Sequence, residues 1–229
     1  VGVFLDRPII IDDLVEGDTY FLSVVAKNSL GSSEPTEMLG VIPSNNDVKT
    51  LVVNGFDRVN GTNNTFDFIR QHGSALHAHN FSFDAASNEA VINQQINLLD
   101  YQFVDWILGE EGTSTSVFSY SEQNKIIEYL ESGKFLFISG SEIGYDLEAQ
   151  GSDTDKDFYH NYLKANYISD AAGGYQGVYS GYGLSNTMLA GIGNINYDNG
   201  SHGTYNVDWP DGIKPLGGAS LCGAFTGPD

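Results

Sequence analysis

Residues 134–144 read Lys-Phe-Leu-Phe-Ile-Ser-Gly-Ser-Glu-Ile-Gly, and this stretch decides the fold. Its first half, residues 134–139, is a short apolar run that predicts a buried β-strand. Its second half, residues 140–144, has the G-x-nucleophile-x-G spacing of a nucleophile elbow, a sharp turn from strand to helix that raises the central side chain above a sheet. Glu142 holds that central position. A strand that passes into a helix through such a turn predicts an α/β domain.

The segments before this stretch extend the same pattern. Residues 49–54 and 103–108 are apolar runs without alternation, as expected for strands buried on both faces of a sheet. Helices are predicted at 65–79, at 87–98 with Ser87 as N-cap, and at 119–131 with Ser121 as a candidate cap. The alternation of strands and helices predicts a doubly wound, mostly parallel sheet of the flavodoxin type, with helices on both faces. Beyond residue 165 the glycine-rich sequence predicts long loops and short strands.

The first 43 residues have a different periodicity. Residues 20–26 alternate in a run of strand formers, residues 28–31 (Asn-Ser-Leu-Gly) form a turn signal, and residues 37–42 predict a second strand. This spacing resembles the last two strands of a fibronectin type III domain, with Tyr20 as its tyrosine-corner residue. The resemblance implies three parts: the end of a β-sandwich at 1–43, a linker at 44–48, and an α/β domain at 49–229 that we expect to be incomplete at its C-terminus.

Charge and composition limit the partners. The chain has 10 Lys and Arg against 30 Asp and Glu, a formal net charge of −20, so phosphate backbones and anionic lipids are repelled. Its apolar runs are far shorter than the roughly 20 residues that a membrane-spanning helix needs. Only 17% of residues are charged, and Asn, Ser, Thr and Gly supply much of the polarity, as in many secreted bacterial proteins. We therefore expect a secreted or cell-surface location, without nucleic-acid partners and without a membrane span.

Polar residues follow three of the predicted strands. Because ligands bind outside the carboxyl ends of parallel strands, these residues are expected to face one crevice. As candidate catalytic groups we take Glu142, Glu110 and Asp57, and as candidate substrate-binding groups Arg58, Ser141 and Glu111. The alternative is that these strand ends are polar because they are solvated. Arg58, one of three arginines, is expected to form an ion pair with a neighbouring carboxylate.

The elbow and the region before it resemble the class I glutamine amidotransferase-like fold. Members of that fold carry Cys at the elbow, whereas this chain has Glu142 there and a single cysteine, Cys222. The resemblance therefore implies the fold without thioester chemistry. Residues 52–58, 87–91, 106–111 and 138–147 also look like segments of large secreted Bacteroidetes proteins in which a fibronectin type III domain precedes such a domain. Proteins of that kind are often labelled N-acetylmuramoyl-L-alanine amidase or xanthan lyase, which implies a cell-wall or polysaccharide context.

Two clusters have metal-ligand chemistry. His72, His77 and His79 point in different directions on a helix, so we expect surface histidines rather than a zinc site. Asp153, Asp155 and Asp157 offer oxygen ligands at loop spacing, but they lack the central glycine and the final glutamate of an EF-hand. Calcium binding and helix capping by Asp155 both stay open.

Three functions are consistent with these residues. The first is a non-catalytic recognition or scaffolding module, whose partners are other domains of the same polypeptide and a glycan or peptidoglycan. The second is a hydrolase of glycan or peptidoglycan in which Glu142 acts as acid or base with Glu110 or Asp57. The third is a repeat unit of an extracellular adhesin or filament.

Overall fold

A computed structural model describes residues 9–57, 65–111, 116–171, 180–196 and 209–226. The helices are α1 (Phe68–Ala78), α2 (Asn88–Ile92), α3 (Tyr120–Glu131) and α4 (Asp153–Asn161), with a 3₁₀ turn at Leu98–Asp100 and a π-helical turn at Tyr145–Gln150. The strands are β1 (Tyr20–Leu22), β2 (Lys27–Asn28), β3 (Gly31–Ser32), β4 (Leu39–Val41), β5 (Thr50–Asn54), β6 (Asp84–Ser87), β7 (Phe103–Gly109), β8 (Phe135–Gly140), β9 (Ala165–Ser169), β10 (Ser180–Gly183), β11 (Ile195–Asn196), β12 (Gly212–Pro215) and β13 (Gly223–Thr226).

The main sheet is six-stranded and mostly parallel. Its strand order is β1-β4-β6-β5-β7-β8. β6, β5, β7 and β8 are parallel to one another, whereas β1 and β4 join antiparallel at one edge. The predicted mixed α/β class with a mostly parallel sheet is therefore confirmed. The strands predicted at 49–54, 103–108 and 134–139 all occur, each with its ends shifted by no more than one residue.

Helices pack on both faces of this sheet because the central strands are apolar on both sides. On one face, Val52 and Ile107 pack with Phe68 and Ile69 of α1. On the other face, a larger core joins alternate strand residues to α3 and α4; it includes Val53, Val104, Trp106, Ile126, Tyr129 and Phe158. Close packing extends to the backbone, because a Cβ at Gly55 would lie only 1.9 Å from the indole nitrogen of Trp106.

The N-terminal segment belongs to the same sheet. β4 lies antiparallel to β6, and the Ile42 N–H donates to the Phe83 carbonyl at 3.0 Å. The predicted linker at 44–48 thus does not separate two sheets, because β4 supplies the backbone groups that the edge of β6 would otherwise expose to water. The hydrogen bond typical of a tyrosine corner is present, since the Val15 N–H donates to the Tyr20 hydroxyl at 2.9 Å. The fibronectin assignment itself stays a prediction.

Two helix predictions need correction. The helix that starts after Ser87 ends at Ile92 instead of continuing to 98, and Gln94 takes a left-handed backbone conformation with φ +59°. The N-cap of α3 is Ser119 rather than Ser121, because Ser119 and Glu122 form a reciprocal capping box. After α4 the described strands are short, as predicted, and form small sheets outside the main one. Among the described residues, every helix is too short or too polar to cross a bilayer.

Candidate functional site

A small crevice lies where the strand order changes direction. The chain runs from β5 to β6 on one side and then returns to β7 on the other, so the carboxyl ends of β5 and β7 meet with helices on opposite faces. In open α/β sheets this is the usual position of a ligand site. The crevice has a volume of about 280 Å³, and its polar lining includes Asp57, Asn88, Glu111, Ser119 and Glu122.

Two of the sequence-predicted residues meet in this crevice. The backbone N–H of Asp57, after β5, donates to Oε2 of Glu111, after β7, at 3.1 Å. Glu111 is 2% exposed, whereas Asp57 is exposed. The predicted neighbourhood of these two strand ends is therefore present, but one oxygen of Glu111 is occupied by the backbone of the facing loop.

Asn88 and Glu122 complete the crevice, and sequence reasoning missed both as site residues. Asn88 begins α2, directly after β6, and its amide donates to Oε1 of Glu122 at 3.0 Å. The Asn88 amide nitrogen also lies 3.5 Å from Oδ1 of Asp57. The strand β6 was not predicted, so the only signal for Asn88 was its position directly after Ser87, the predicted N-cap. For Glu122 the signal was the Ser-x-x-Glu capping box at 119–122.

Glu122 is a buried carboxylate with both oxygens in use. Oε2 accepts the Ser119 N–H at 2.6 Å, while Oε1 accepts from Asn88. Burial raises the pKa of Glu122; the hydrogen bonds from Ser119 and Asn88 oppose this shift, and the charge of Asp57 adds to it. The carboxylates of the crevice are thus held mainly as acceptors for groups of the fold.

The elbow has the backbone that its spacing predicts. Glu142 has φ +57°, in the left-handed region that non-glycine residues rarely adopt. Both flanking glycines are needed for close packing: a Cβ at Gly140 would lie 2.7 Å from Cβ of Leu108, and one at Gly144 would lie 2.6 Å from the Tyr159 hydroxyl. The π-helical turn follows directly, so the strand-turn-helix geometry is present.

Asp211 occupies the backbone donors behind the elbow. Its carboxylate accepts the N–H groups of Gly144 at 2.6 Å and Tyr145 at 3.2 Å. Burial raises the pKa of Asp211 to about 6 against the opposing effect of these two bonds. The two backbone N–H groups that follow the elbow are therefore satisfied by a carboxylate of the same chain.

The other predicted site residues are spread over different places. Glu110 is half-buried at the end of β7. Ser141 lines a larger, separate cavity beside β8, and its N–H donates to the Gly109 carbonyl at 2.9 Å. Glu142 contributes to the raised pKa of Tyr167 on β9, after burial and the charges of Asp170 and Asp211, so it lies towards β9. Arg58 and its expected ion pair fall outside the described residues.

The aspartates at 153, 155 and 157 lie in the first turns of α4. Ser152 is the N-cap, and the Asp155 carboxylate accepts a hydrogen bond from the Ser152 N–H, which completes a second capping box. Although burial acts to raise it, the bonds from Ser152 and Gln123 lower the pKa of Asp155. The capping alternative thus accounts for Asp155. Within the described ranges, no group of three or more His, Cys, Asp or Glu side chains is arranged to hold a metal ion. Calcium binding stays an untested prediction.

Comparison of the chain with models of protein families, with curated proteins and with solved structures gave no match.

Proposed function

We propose that this chain is a non-catalytic recognition or scaffolding module of a secreted bacterial protein of the cell surface, the cell wall or polysaccharide processing. One observation carries the proposal: the two buried carboxylates of the crevice already accept hydrogen bonds within the fold. Glu111 accepts the Asp57 N–H, and Glu122 accepts from Ser119 and Asn88. An acid–base pair needs carboxyl oxygens that can reach a substrate proton.

The elbow supports the same proposal. A doubly wound, amidotransferase-like arrangement fits the strand order β6-β5-β7-β8, in which the first parallel strand lies between the second and the third. In this proposal, Glu142 replaces the nucleophile of that fold, and Asp211 occupies the Gly144 and Tyr145 N–H groups behind it. The fold keeps the framework of an enzyme site without a nucleophile to use it.

The secreted location and the cell-wall or polysaccharide context rest on sequence features. Low charged content, the net charge of −20 and the resemblance of four segments to secreted Bacteroidetes proteins support them. The Tyr20 hydrogen bond to Val15 is compatible with a fibronectin-like N-terminal part.

The test measures binding and hydrolysis on the same protein. The purified chain is sedimented with insoluble peptidoglycan and with insoluble polysaccharide, and the release of reducing ends and of free amines is followed over time. Binding without release supports the proposal. The absence of both binding and release contradicts recognition.

A carboxylate hydrolase is the second candidate, and the backbone of Glu142 favours it. A non-glycine residue held at φ +57° carries conformational strain, which proteins often retain at functional sites. In that case, Glu142→Gln abolishes any release of reducing ends while binding to the polymer is unchanged. Release that survives Glu142→Gln excludes Glu142 as its acid or base.

A further inference from the structure

A second cavity lies beside β8, away from the crevice. Its volume is about 780 Å³, within the range of small-molecule sites. Apolar side chains such as Phe68, Ile107 and Ile138 form much of its wall, and α1, α4 and the segment around Asp211 enclose it. A mostly apolar cavity with a few polar groups has the general character of a ligand site.

His72 is the best-placed polar group in this cavity. Its Nδ1 lies 2.7 Å from Oδ2 of Asp105, and its side chain is 23% exposed. The sequence predicted a surface histidine, but the side chain is partly buried because α1 packs over β7. An ionised carboxylate can only accept, so Nδ1 carries the proton. In the neutral ring, Nε2 then has a free lone pair and acts as a hydrogen-bond acceptor.

Burial of the Asp105 carboxylate lowers the stability of the fold. It lies within β7 between Val104 and Trp106, both fully buried, and its own side chain is 8% exposed. Its second oxygen, Oδ1, is buried and has no hydrogen-bond partner among the described residues. A buried carboxylate with an unsatisfied oxygen lowers stability relative to an apolar residue. Its one strong contact orients His72, which makes Asp105 a positioning residue.

The edge of β8 that is unpaired among the described residues adds further polar groups. β8 is the last strand of the main sheet, and its odd-numbered residues bond to β7, as the Phe135 N–H does to the Gln102 carbonyl. The backbone groups of Leu136 and Ile138 therefore point away from β7, and both residues line the cavity. Ser139 and Ser141 are also among the lining residues.

The charge and polarity around this cavity disfavour a charged ligand. A net charge of −20 and the Asp211 carboxylate in the wall oppose an anion. An apolar wall makes removal of water from a cation costly, and Asp211 already accepts two backbone N–H groups. The partly exposed ring of Tyr162 suits an apolar ring face, while the imidazole and backbone groups suit hydroxyls.

We propose that this cavity binds an uncharged, hydroxyl-bearing ring, of the size of one or two sugar units, whose hydroxyl donates a hydrogen bond to Nε2 of His72. This inference rests on the proposed recognition function and assigns it to one site. Asp105 sets the tautomer of His72, and the edge of β8 that is unpaired among the described residues supplies further donors and acceptors.

Two variants test this hydrogen bond: His72→Leu/Asp105→Leu removes the imidazole together with its buried partner, whereas Asp105→Asn keeps the shape and reverses the hydrogen bond within the pair. The asparagine amide can donate to Nδ1, so the proton moves to Nε2, which then donates instead of accepting. The probes are three sugars with the same ring: uncharged N-acetylglucosamine, protonated glucosamine and anionic N-acetylmuramic acid. Each charged probe differs from N-acetylglucosamine at one substituent. Titrations followed by ¹⁵N-labelled imidazole NMR report binding and tautomer together.

The expected result is saturable binding of N-acetylglucosamine, with little binding of the two charged probes. In the wild type the His72 Nε2 resonance shifts on binding. Asp105→Asn moves the free-state tautomer, and the ligand hydroxyl then accepts from Nε2 instead of donating to it. His72→Leu/Asp105→Leu removes the imidazole and weakens binding about tenfold, the effect of one lost hydrogen bond. His79→Gln, exposed beyond the end of α1, leaves binding unchanged.

Four results overturn the inference: equal binding of all probes, binding of none, preference for a charged probe, or wild-type affinity in folded His72→Leu/Asp105→Leu. Polymer sedimentation on the same samples separates this inference from the proposed function. Wild-type polymer binding by His72→Leu/Asp105→Leu rejects the cavity but not the recognition function. Binding of N-acetylglucosamine without polymer binding keeps the cavity and rejects the recognition of polymers.

Discussion

Buried carboxylates have different hydrogen-bond partners in the two regions, the crevice at the ends of β5 and β7 and the cavity beside β8. In the crevice, Glu111 and Glu122 accept hydrogen bonds from backbone and amide groups. Behind His72 of the cavity lining, Asp105 forms one hydrogen bond with that histidine, and its second oxygen has no partner among the described residues. Both regions contain buried carboxylates, but only in the crevice do these carboxylates accept from backbone and amide donors of the fold.

This difference separates structural polar groups from groups available to a ligand. The strand order alone would place the ligand site in the crevice. The hydrogen bonds indicate instead that the buried crevice carboxylates stabilise the loops and the start of α3. The His72–Asp105 pair, in contrast, lowers the stability of the fold, because one Asp105 oxygen has no hydrogen-bond partner among the described residues. Substitutions in the two regions should therefore change stability and binding differently.

The largest effect is expected from His72→Leu. Removal of the imidazole leaves Asp105 buried without its partner, which should lower the free energy of unfolding by about 3–4 kcal/mol. The double variant His72→Leu/Asp105→Leu should recover all of this loss, because apolar side chains can replace both partners of a buried hydrogen bond without net cost. Urea unfolding of both variants and the wild type checks the cycle. A double variant no more stable than the single one would mean that the pair stabilises the fold.

Glu122→Ala probes the crevice. The Asn88 amide and the Ser119 N–H would both lose their acceptor, so the free energy of unfolding should fall by about 3 kcal/mol. Glu128→Ala, exposed on the same helix, should change it by less than about 0.5 kcal/mol. Urea unfolding followed by circular dichroism measures both. Equal losses in the two variants would show that the network around Glu122 contributes nothing.

Asp211 gives a pH dependence of known sign. Its folded pKa of about 6 lies above the ordinary value of 3.8, so the folded state binds the proton more tightly than the unfolded state. The contribution of this group to stability therefore rises as pH falls through about 6, and it should gain about 2 kcal/mol between about pH 7 and about pH 4.5. Unfolding of the wild type and Asp211→Asn at both pH values isolates this effect. A constant difference between the two proteins would contradict it.

The smallest effect concerns the elbow. Glycine adopts φ +57° without the steric cost that a Cβ brings, so Glu142→Gly should be more stable than Glu142→Ala by about 1 kcal/mol. At Glu128, inside α3, the order should reverse, with Ala more stable than Gly by about 1 kcal/mol. Thermal unfolding of the four variants tests both signs. The same order at both positions would argue against strain at Glu142.

Much of the fold could be predicted because it depends on local sequence. The strands at 50–54, 103–109 and 135–140 follow from apolar runs, and Ser87 caps α2 as expected. The end of that helix was wrong by several residues, since nothing local marks Ile92 as its last residue. The joining of β4 to β6 was also missed, because strand pairing across about 40 residues depends on a surface that only the folded sheet provides.

The candidate sites were less predictable because their contacts join distant residues. Asp57 and Glu111 were expected to meet, since both follow neighbouring parallel strands. Asn88 and Glu122 lie 34 residues apart, and His72 and Asp105 lie 33 apart. Neither pair has a sequence signature, and an aspartate within an apolar strand does not identify its partner.

The sequence by itself determined the α/β class, the central strands and the strand-turn-helix elbow, because these features depend on short-range periodicity and on two glycines at fixed spacing. Only the tertiary structure decided which carboxylates are occupied, where the histidine points and that the N-terminal strands extend the same sheet. Hydrogen bonds and burial depend on the neighbours that folding brings together. For this reason, the crevice that the topology favours and the cavity that the packing leaves open are two different places.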